Sequence, residues 1–272
     1  MTIGRRAVLA AGLAVTAGPA LAIDAGTASG RFRRDETEVS FKHSIALSLD
    51  NVEGMLDRPR EMRVLLSDRE VPASAILGLA FPPVWRMAKA GAVRGLLLSF
   101  DPADRTALNI VVLAPPEPGF SLATLSISNS EGLWSRLEAS PTRVVGELKP
   151  GAYDYMDLRF SAPVFNDAVQ ADLKGPAVQA SEPVKALLAR AEAIGRGDWA
   201  AARSLSTEAA AANFRDIPPE MLKQAKPMAA ELTRRLKAAR RVVIRRETAA
   251  VMVGEGEWAS AALVNGVWKA AD

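Results

Sequence analysis

The chain lacks cysteine altogether and has one histidine among its 272 residues. Without a thiol there is no disulfide framework, no cysteine nucleophile and no cysteine-ligated iron–sulfur or zinc site. With His43 as the only imidazole, a metal site built from two or three histidines cannot form within one chain. The sequence therefore predicts no metal and no cofactor, and it gives no catalytic residue.

Aromatic residues and long apolar runs are also scarce. Aromatic side chains make up 6% of the chain, which argues against a stacking platform for single-stranded nucleic acid. The best candidate for a membrane span is interrupted by Pro82, Pro83, Arg86 and Arg94, so we expect no transmembrane segment. Hydrophobic residues at 49% and charged residues at 24% are typical of an ordinary globular protein.

Residues 1–22 have the features of an export segment. Arg5-Arg6 forms a positive head, a weakly apolar stretch follows, and Ala20-Leu21-Ala22 puts small residues where a signal peptidase cuts. The paired arginines before an alanine-rich core resemble the twin-arginine export signal; a general secretory signal is the alternative. We therefore expect the mature protein in the periplasm or outside the cell.

The mature protein is close to neutral. Removal of the export segment takes away two arginines and leaves 32 basic against 31 acidic residues, a net charge of +1. This balance does not support a general electrostatic attraction to nucleic acid.

Residues 23–175 form the first of two predicted domains, and they are rich in strand patterns. Hydrophobic residues alternate with polar or small ones from Phe41 to Leu49, as in a half-buried strand. Six further strands are predicted, at 62–66, 95–100, 107–113, 122–128, 142–148 and 153–160. Residues 72–90 have a helical pattern that Pro82-Pro83 should split. These features predict an antiparallel, sandwich-like domain with a helical insertion.

Residues 176–272 form the second predicted domain, in which helices precede strands. Ser181 is a candidate N-cap for a helix that ends at Gly195 or Gly197, and Asp198 can cap the next helix. A third helix and a longer one, bent or restarted at Pro227, should follow. Four strands then form a meander, and Asn265-Gly266 predicts its last hairpin because both turn positions require positive φ.

The second domain resembles a known superfamily in its order of elements and in three short motifs. These motifs are Gly197-Asp198, the run Ala202-Arg203-Ser204-Leu205-Ser206, and Gly266-Val267-Trp268-Lys269. They resemble small exported bacterial members of the nuclear transport factor 2-like superfamily, which is cystatin-like. The resemblance implies a cone-shaped α+β domain, with helices followed by a curved antiparallel sheet. The predicted fold class is therefore α+β: a sandwich-like β domain followed by this cone.

Three tryptophans are candidates for lining a ligand pocket in the cone, where relatives hold small apolar molecules: Trp199, Trp258 and Trp268. As core residues they would need no ligand. His43, between Phe41 and Ile45 on its strand, is interpreted as a structural, hydrogen-bonded histidine rather than a catalytic one, because no nucleophile motif accompanies it.

Seven basic residues within thirteen positions form the densest charge feature: Arg234, Arg235, Lys237, Arg240, Arg241, Arg245 and Arg246. They are candidates for a surface that binds an anionic partner, such as a membrane headgroup, a cell-wall polymer or an acidic protein. The alternative is a solvated helix face followed by a strand.

Together these features predict an exported binding or accessory protein of the cell envelope that is not an enzyme. Its partner would be a protein, an envelope component or a small apolar ligand. The alternative is a hydrolase or isomerase that uses Asp or Glu in the cavity of the second domain.

Overall fold

The computed structural model describes residues 26–34, 36–54, 58–77, 82–104, 107–115, 122–128, 130–211 and 219–271. The predicted export segment, 1–22, lies outside the described residues. Strands make up 47% of the structure and helices 27%, so the fold is mostly β. Two sheets account for the described strands, one of ten strands and one of five. Their pairings are antiparallel except for one parallel pairing in the larger sheet.

The larger sheet is curled like half of a barrel and is built by the first part of the chain. Its strands are β1 (Gly26–Arg34), β2 (Thr37–Ser40), β3 (His43–Asp50), β4 (Arg60–Ser67), β5 (Gly95–Phe100), β6 (Ala107–Leu113), β7 (Thr124–Ser128), β8 (Trp134–Ala139), β9 (Arg143–Leu148) and β10 (Met156–Asn166). They lie in the order β7-β6-β5-β4-β3-β1-β10-β9-β8, with β2 paired to β1. The described edges of this long path are therefore β7 and β8.

Both faces of the larger sheet are covered at its centre. Inside the curl, Phe32, Phe100 and Phe160 belong to one large core. On the outer face, Leu47 and Leu65 pack with a helical insertion made of the short 3-10 turn Ala73–Ile76 and helix α1 (Val84–Lys89). Because both faces are covered, every residue of β4 after Arg60 is buried, instead of every second one.

Strand β1 lies between β3 and β10, and the three backbones are closely packed where β1 begins. Thr27 pairs with His43 on one side and with Ser161 on the other, whereas farther along the sheet Val164 of β10 pairs directly with Ala46 of β3. A Cβ on Gly26 would lie 2.0 Å from the carbonyl oxygen of Ser44, so only glycine fits where β1 begins.

The smaller sheet contains five strands in the order β11-β12-β13-β14-β15. These are β11 (Val169–Lys174), β12 (Arg241–Arg245), β13 (Thr248–Gly254), β14 (Glu257–Val264) and β15 (Val267–Ala270). The helices between β11 and β12 are α2 (Ala177–Ala180), α3 (Glu182–Arg196), α4 (Trp199–Ser204), α5 (Glu208–Ala211) and α6 (Pro219–Lys237). Helices α3 and α6 cover one face of this sheet through Leu187, Leu236 and their neighbours.

Local signals in the second half of the chain are confirmed. Gly197 ends α3 with φ 77°, and the Asp198 carboxylate caps α4 by accepting from the backbone N–H of Ala201 at 3.0 Å. Asn265 and Gly266 both have positive φ in the β14–β15 turn. The restart expected at Pro227 is wrong, because α6 continues through this residue.

The predicted fold class is wrong. The α+β arrangement of a sandwich followed by a helix-plus-sheet cone is overturned by the large curled sheet, which makes the structure mostly β. The first part forms one continuous sheet instead of two stacked ones, because β10 joins β1, β3 and β9 into a single path. Residues 169–174, which the sequence places before the join, pair with β12 and belong to the smaller sheet.

Gly146 on β9 provides a test of the packing inside the curl. A Cβ at this position would lie 2.4 Å from the ring of Phe160, which is buried and packs edge-on against Trp134 with ring centroids 6.3 Å apart. We expect Gly146→Ala to lower the free energy of unfolding by about 1–3 kcal/mol, because the ring cannot retreat without disturbing its neighbours.

The matched control is Gly132→Ala, since nothing lies within 4 Å of a Cβ at Gly132. Urea unfolding followed by circular dichroism measures both variants. Equal stability of the two variants would contradict this account of the core.

Candidate functional site

The two sheets meet at a buried ion pair between Glu53 and Arg245. Glu53 lies in the loop after β3, and Arg245 is the last residue of β12. The Arg245 guanidinium donates to the Glu53 carboxylate from Nη2 at 2.6 Å and from Nε at 3.2 Å. The side chain of Glu53 is 0% exposed and that of Arg245 is 3% exposed. Each charge is therefore hidden from water and depends on the other.

Backbone oxygens complete the surroundings of Arg245. Its Nη2 also donates to the carbonyl of Asp50 at 2.6 Å, and its Nη1 donates to the carbonyl of Asp167 at 3.3 Å. The guanidinium thus connects the loop after β3, the turn between β10 and β11, and the strand β12. We call these contacts the junction.

The Asp167 side chain connects the β10–β11 turn to the beginning of β13. One carboxylate oxygen accepts from the backbone N–H of Glu247 at 3.1 Å, and the other accepts from the Thr248 hydroxyl at 2.6 Å. Burial raises the pKa of Asp167 above its usual range, and the contacts with Thr248, Glu247 and Arg245 counteract part of that rise.

Arg241 forms a second bridge, closer to the surface. It donates to the Asp172 carboxylate from Nε at 2.8 Å and from Nη2 at 3.1 Å, and Nη2 also reaches the carbonyl of Val52 at 2.9 Å. Hydrogen bonding to Arg241 lowers the pKa of Asp172. The Arg241 guanidinium carbon also lies 5.7 Å from the centre of the Trp258 ring.

The seven-residue basic run is divided by the fold. Arg234 and Arg235 pair with Glu231 on α6 and lower the pKa of Glu231 to about 2. Arg235 also contacts Glu257, and Lys237 lies 3.8 Å from Glu192.

The remaining residues of the run lie on or next to β12, at the other side of the sheet. Arg245 forms the junction, and Arg241 bonds to the same loop after β3. Arg240 and Arg246 are exposed. The guanidinium of Arg246 lies 5.9 Å from the ring of Phe165 in the first sheet. Five of the seven cations thus form ion pairs within the chain.

The three candidate tryptophans are not brought together. Trp268 pairs across the sheet with Leu263 and packs on the face covered by the helices, whereas Trp258 pairs with Met252 on the opposite face. Trp199 is half-buried at the start of α4 in the helical layer. Trp258 and Trp268 therefore cannot line one cavity, because successive side chains of a strand point to opposite faces.

His43 begins β3, where it is half-buried and pairs across the sheet with Thr27 and Ser67. It lies outside the junction. The residues that matter most there, Glu53 and Asp167, carry no sequence signal, because they belong to a loop and a turn that come together only through the pairing of distant strands.

One row of side chains connects the junction to the uncovered face of the smaller sheet. Lys174 lies opposite Arg241, and the pairing of Val242 with Val251 puts Arg241 beside Met252, which is opposite Trp258. We call Lys174, Arg241, Met252 and Trp258 the Trp258 patch. It combines an aromatic ring and a thioether with two cations, beside the single carboxylate of Asp172.

Comparisons with known proteins do not identify a family. No protein-family model matches the chain, and neither the curated proteins nor the solved structures gave a significant match. The resemblance to the nuclear transport factor 2-like superfamily stays a prediction. No group of three or more metal-ligating side chains occurs among the described residues. The described helices include none that is both long and apolar enough to cross a membrane.

Glu53→Gln tests the junction. The substitution leaves the Arg245 charge buried without its counter-charge, so we expect the free energy of unfolding to fall by about 3–5 kcal/mol. Asp50→Asn in the same hairpin is the control. It breaks only the Asp50–Arg60 pair, whose side chains are about half exposed, and should cost less than about 1 kcal/mol. Urea unfolding and limited proteolysis compare the two, and equal losses would contradict a central role for Glu53.

The pH dependence of stability should differ in sign between two aspartates. The raised pKa of Asp167 gives stability that is present at low pH and lost as pH rises through the folded-state pKa. Relative to the unsubstituted chain, Asp167→Asn should therefore gain stability as pH rises from about 3 to about 7.

Asp172 should behave in the opposite way, since its lowered pKa gives stability that is lost as pH falls. The deficit of Asp172→Asn should shrink toward low pH. Urea unfolding over this pH range tests both variants, and parallel curves would refute the assignment.

Proposed function

We propose that the chain is an exported binding protein of the cell envelope, and that the Trp258 patch contacts an acidic partner protein. The observation that carries this proposal is the combination of Trp258, Met252 and Arg241 on a sheet face that the helices leave uncovered. Trp, Met and Arg are the residue types enriched at the centres of protein interfaces.

The charge around the patch supports an acidic partner. Arg241 and Lys174 share the single carboxylate of Asp172, from which Lys174 lies 3.8 Å away. The side chain of Lys174 is 70% exposed. One cation is thus in excess and accessible, which favours a partner that presents carboxylates.

The buried acids favour binding over acid–base catalysis. Glu53 is paired with Arg245, Glu61 contacts both Arg58 and Arg63, and Asp167 accepts from Thr248 and a backbone N–H. A carboxylate already held by two donors is poorly placed to exchange protons with a substrate.

A photo-crosslinking residue in place of Lys174 would capture the partner in the periplasm of cells that export the chain. The same residue in place of Met228, 68% exposed on α6, is the matched control on the helical layer. Covalent capture of one protein from position 174 only, abolished by Trp258→Ala, is the expected result. Equal capture from both positions, or capture of lipid alone, would overturn the proposal.

Affinity measurements with the purified partner give the decisive comparison. We expect Lys174→Glu and Trp258→Ala each to weaken binding at least about tenfold in calorimetry. Lys223→Glu, the same charge reversal on exposed α6, should bind like the unsubstituted chain. Binding to vesicles containing anionic phospholipid that is equally sensitive to Lys223→Glu would indicate nonspecific attraction and contradict a protein interface.

A further inference from the structure

Within the part of the chain that the structure describes, strand β7 differs from the other sheet edges because no charge, bulge or covering segment there opposes pairing with another strand. Edge strands normally carry charges, bulges or covering segments, because their free N–H and C=O groups otherwise attract a further strand. Strand β7 contains only Thr124, Leu125, Ser126, Ile127 and Ser128. No charged residue occurs between Glu117 and Glu131.

The other described edges are protected in identifiable ways. At the opposite end of the larger sheet, β8 has a bulge after Trp134 and an outward ion pair between Arg136 and Glu138. In the smaller sheet, β11 has an irregular register and carries Asp172 and Lys174.

The remaining described edges are also protected against pairing with a further strand. Strand β15 is covered where Ala270 exchanges backbone hydrogen bonds with Leu205 and Thr207. Strand β2 has only four residues and includes Glu38. Strand β7 is the exception among the strands that the structure describes.

The sequence of β7 is nearly symmetric about Ser126. In an antiparallel pair centred on this residue, Ser126 lies opposite its own copy, Leu125 lies opposite Ile127, and Thr124 lies opposite Ser128. Pairs of hydroxyl residues and pairs of aliphatic residues are both favourable directly across antiparallel strands. Thr124, Ser126 and Ser128 are exposed, while Leu125 and Ile127 pack partly into the core inside the curl.

We propose that β7 pairs with β7 of a second copy of this chain, antiparallel and centred on Ser126, so that the two large sheets become one. A second copy is the occupant favoured by the strand's own symmetry and by its neutrality, because two identical charged edges would repel each other. The contact is isologous and closes on itself, so it removes the open edge without building a fibre. It does not depend on the Trp258 patch, which lies on the other sheet.

Charge placed at the symmetry axis tests this pairing. Ser126→Lys puts two like charges directly opposite each other, and Ser126→Glu does the same with the opposite sign. Each variant alone should sediment at the mass of one chain at concentrations where the unsubstituted protein has the mass of two. An equimolar mixture of the two variants should recover the doubled mass, because Lys then lies opposite Glu.

The control is Ser135→Lys, the same substitution at an exposed position of β8 on the other edge of the larger sheet. It should associate like the unsubstituted chain, and circular dichroism should show that all variants are folded. The proposal is overturned if the unsubstituted protein has the mass of one chain up to near-millimolar concentration. It is equally overturned if Ser126→Lys alone keeps the doubled mass, or if the mixture fails to recover it.

Discussion

The structure depends on one buried cation. Arg245 lies between two sheets whose cores are otherwise separate, and its guanidinium contacts Glu53 and the carbonyls of Asp50 and Asp167. A charge removed from water is tolerated only when its hydrogen-bonding capacity is used, so these groups must stay in place together. Directional polar contacts therefore help to set the relative position of the two sheets.

The need of each cation for an acidic partner also explains how the fold divides the seven-residue basic run. Acidic partners for Arg234 and Arg235 come from the helix itself and from the start of β14, while those for Arg241 and Arg245 come from β11 and from the loop after β3. A cluster that stands out in the sequence is thus divided between two sides of one sheet. What remains accessible near the junction is a smaller surface around Trp258, where a ring, a thioether and a lysine lie together.

Short-range features were predictable, and long-range ones were not. The strands Gly95–Phe100 and Ala107–Leu113 were predicted at their observed bounds, and the Asn265-Gly266 turn has the backbone that its residues require. The β1, β2, β8 and β11 strands were missed. The alternation predicted from Phe41 to Leu49 holds only in part: Leu47 and Leu49 share one face and pack against the helical insertion, whereas Phe41 precedes β3 and packs inside the curl. Alternation shows which residues are buried but not which distant strand covers them.

The place of β1 in the middle of the larger sheet has a consequence for how the chain folds. Strand β1 can complete its pairing only after β10 has been made and folded against it, since Thr27 pairs with Ser161, more than a hundred residues later in the chain. The β12–β15 meander, in contrast, joins each strand to its immediate successor. Because closing a long loop is entropically costly, the large sheet should be the slower of the two to assemble. Its completion is then the step during which newly made chains are most exposed to aggregation and to proteases.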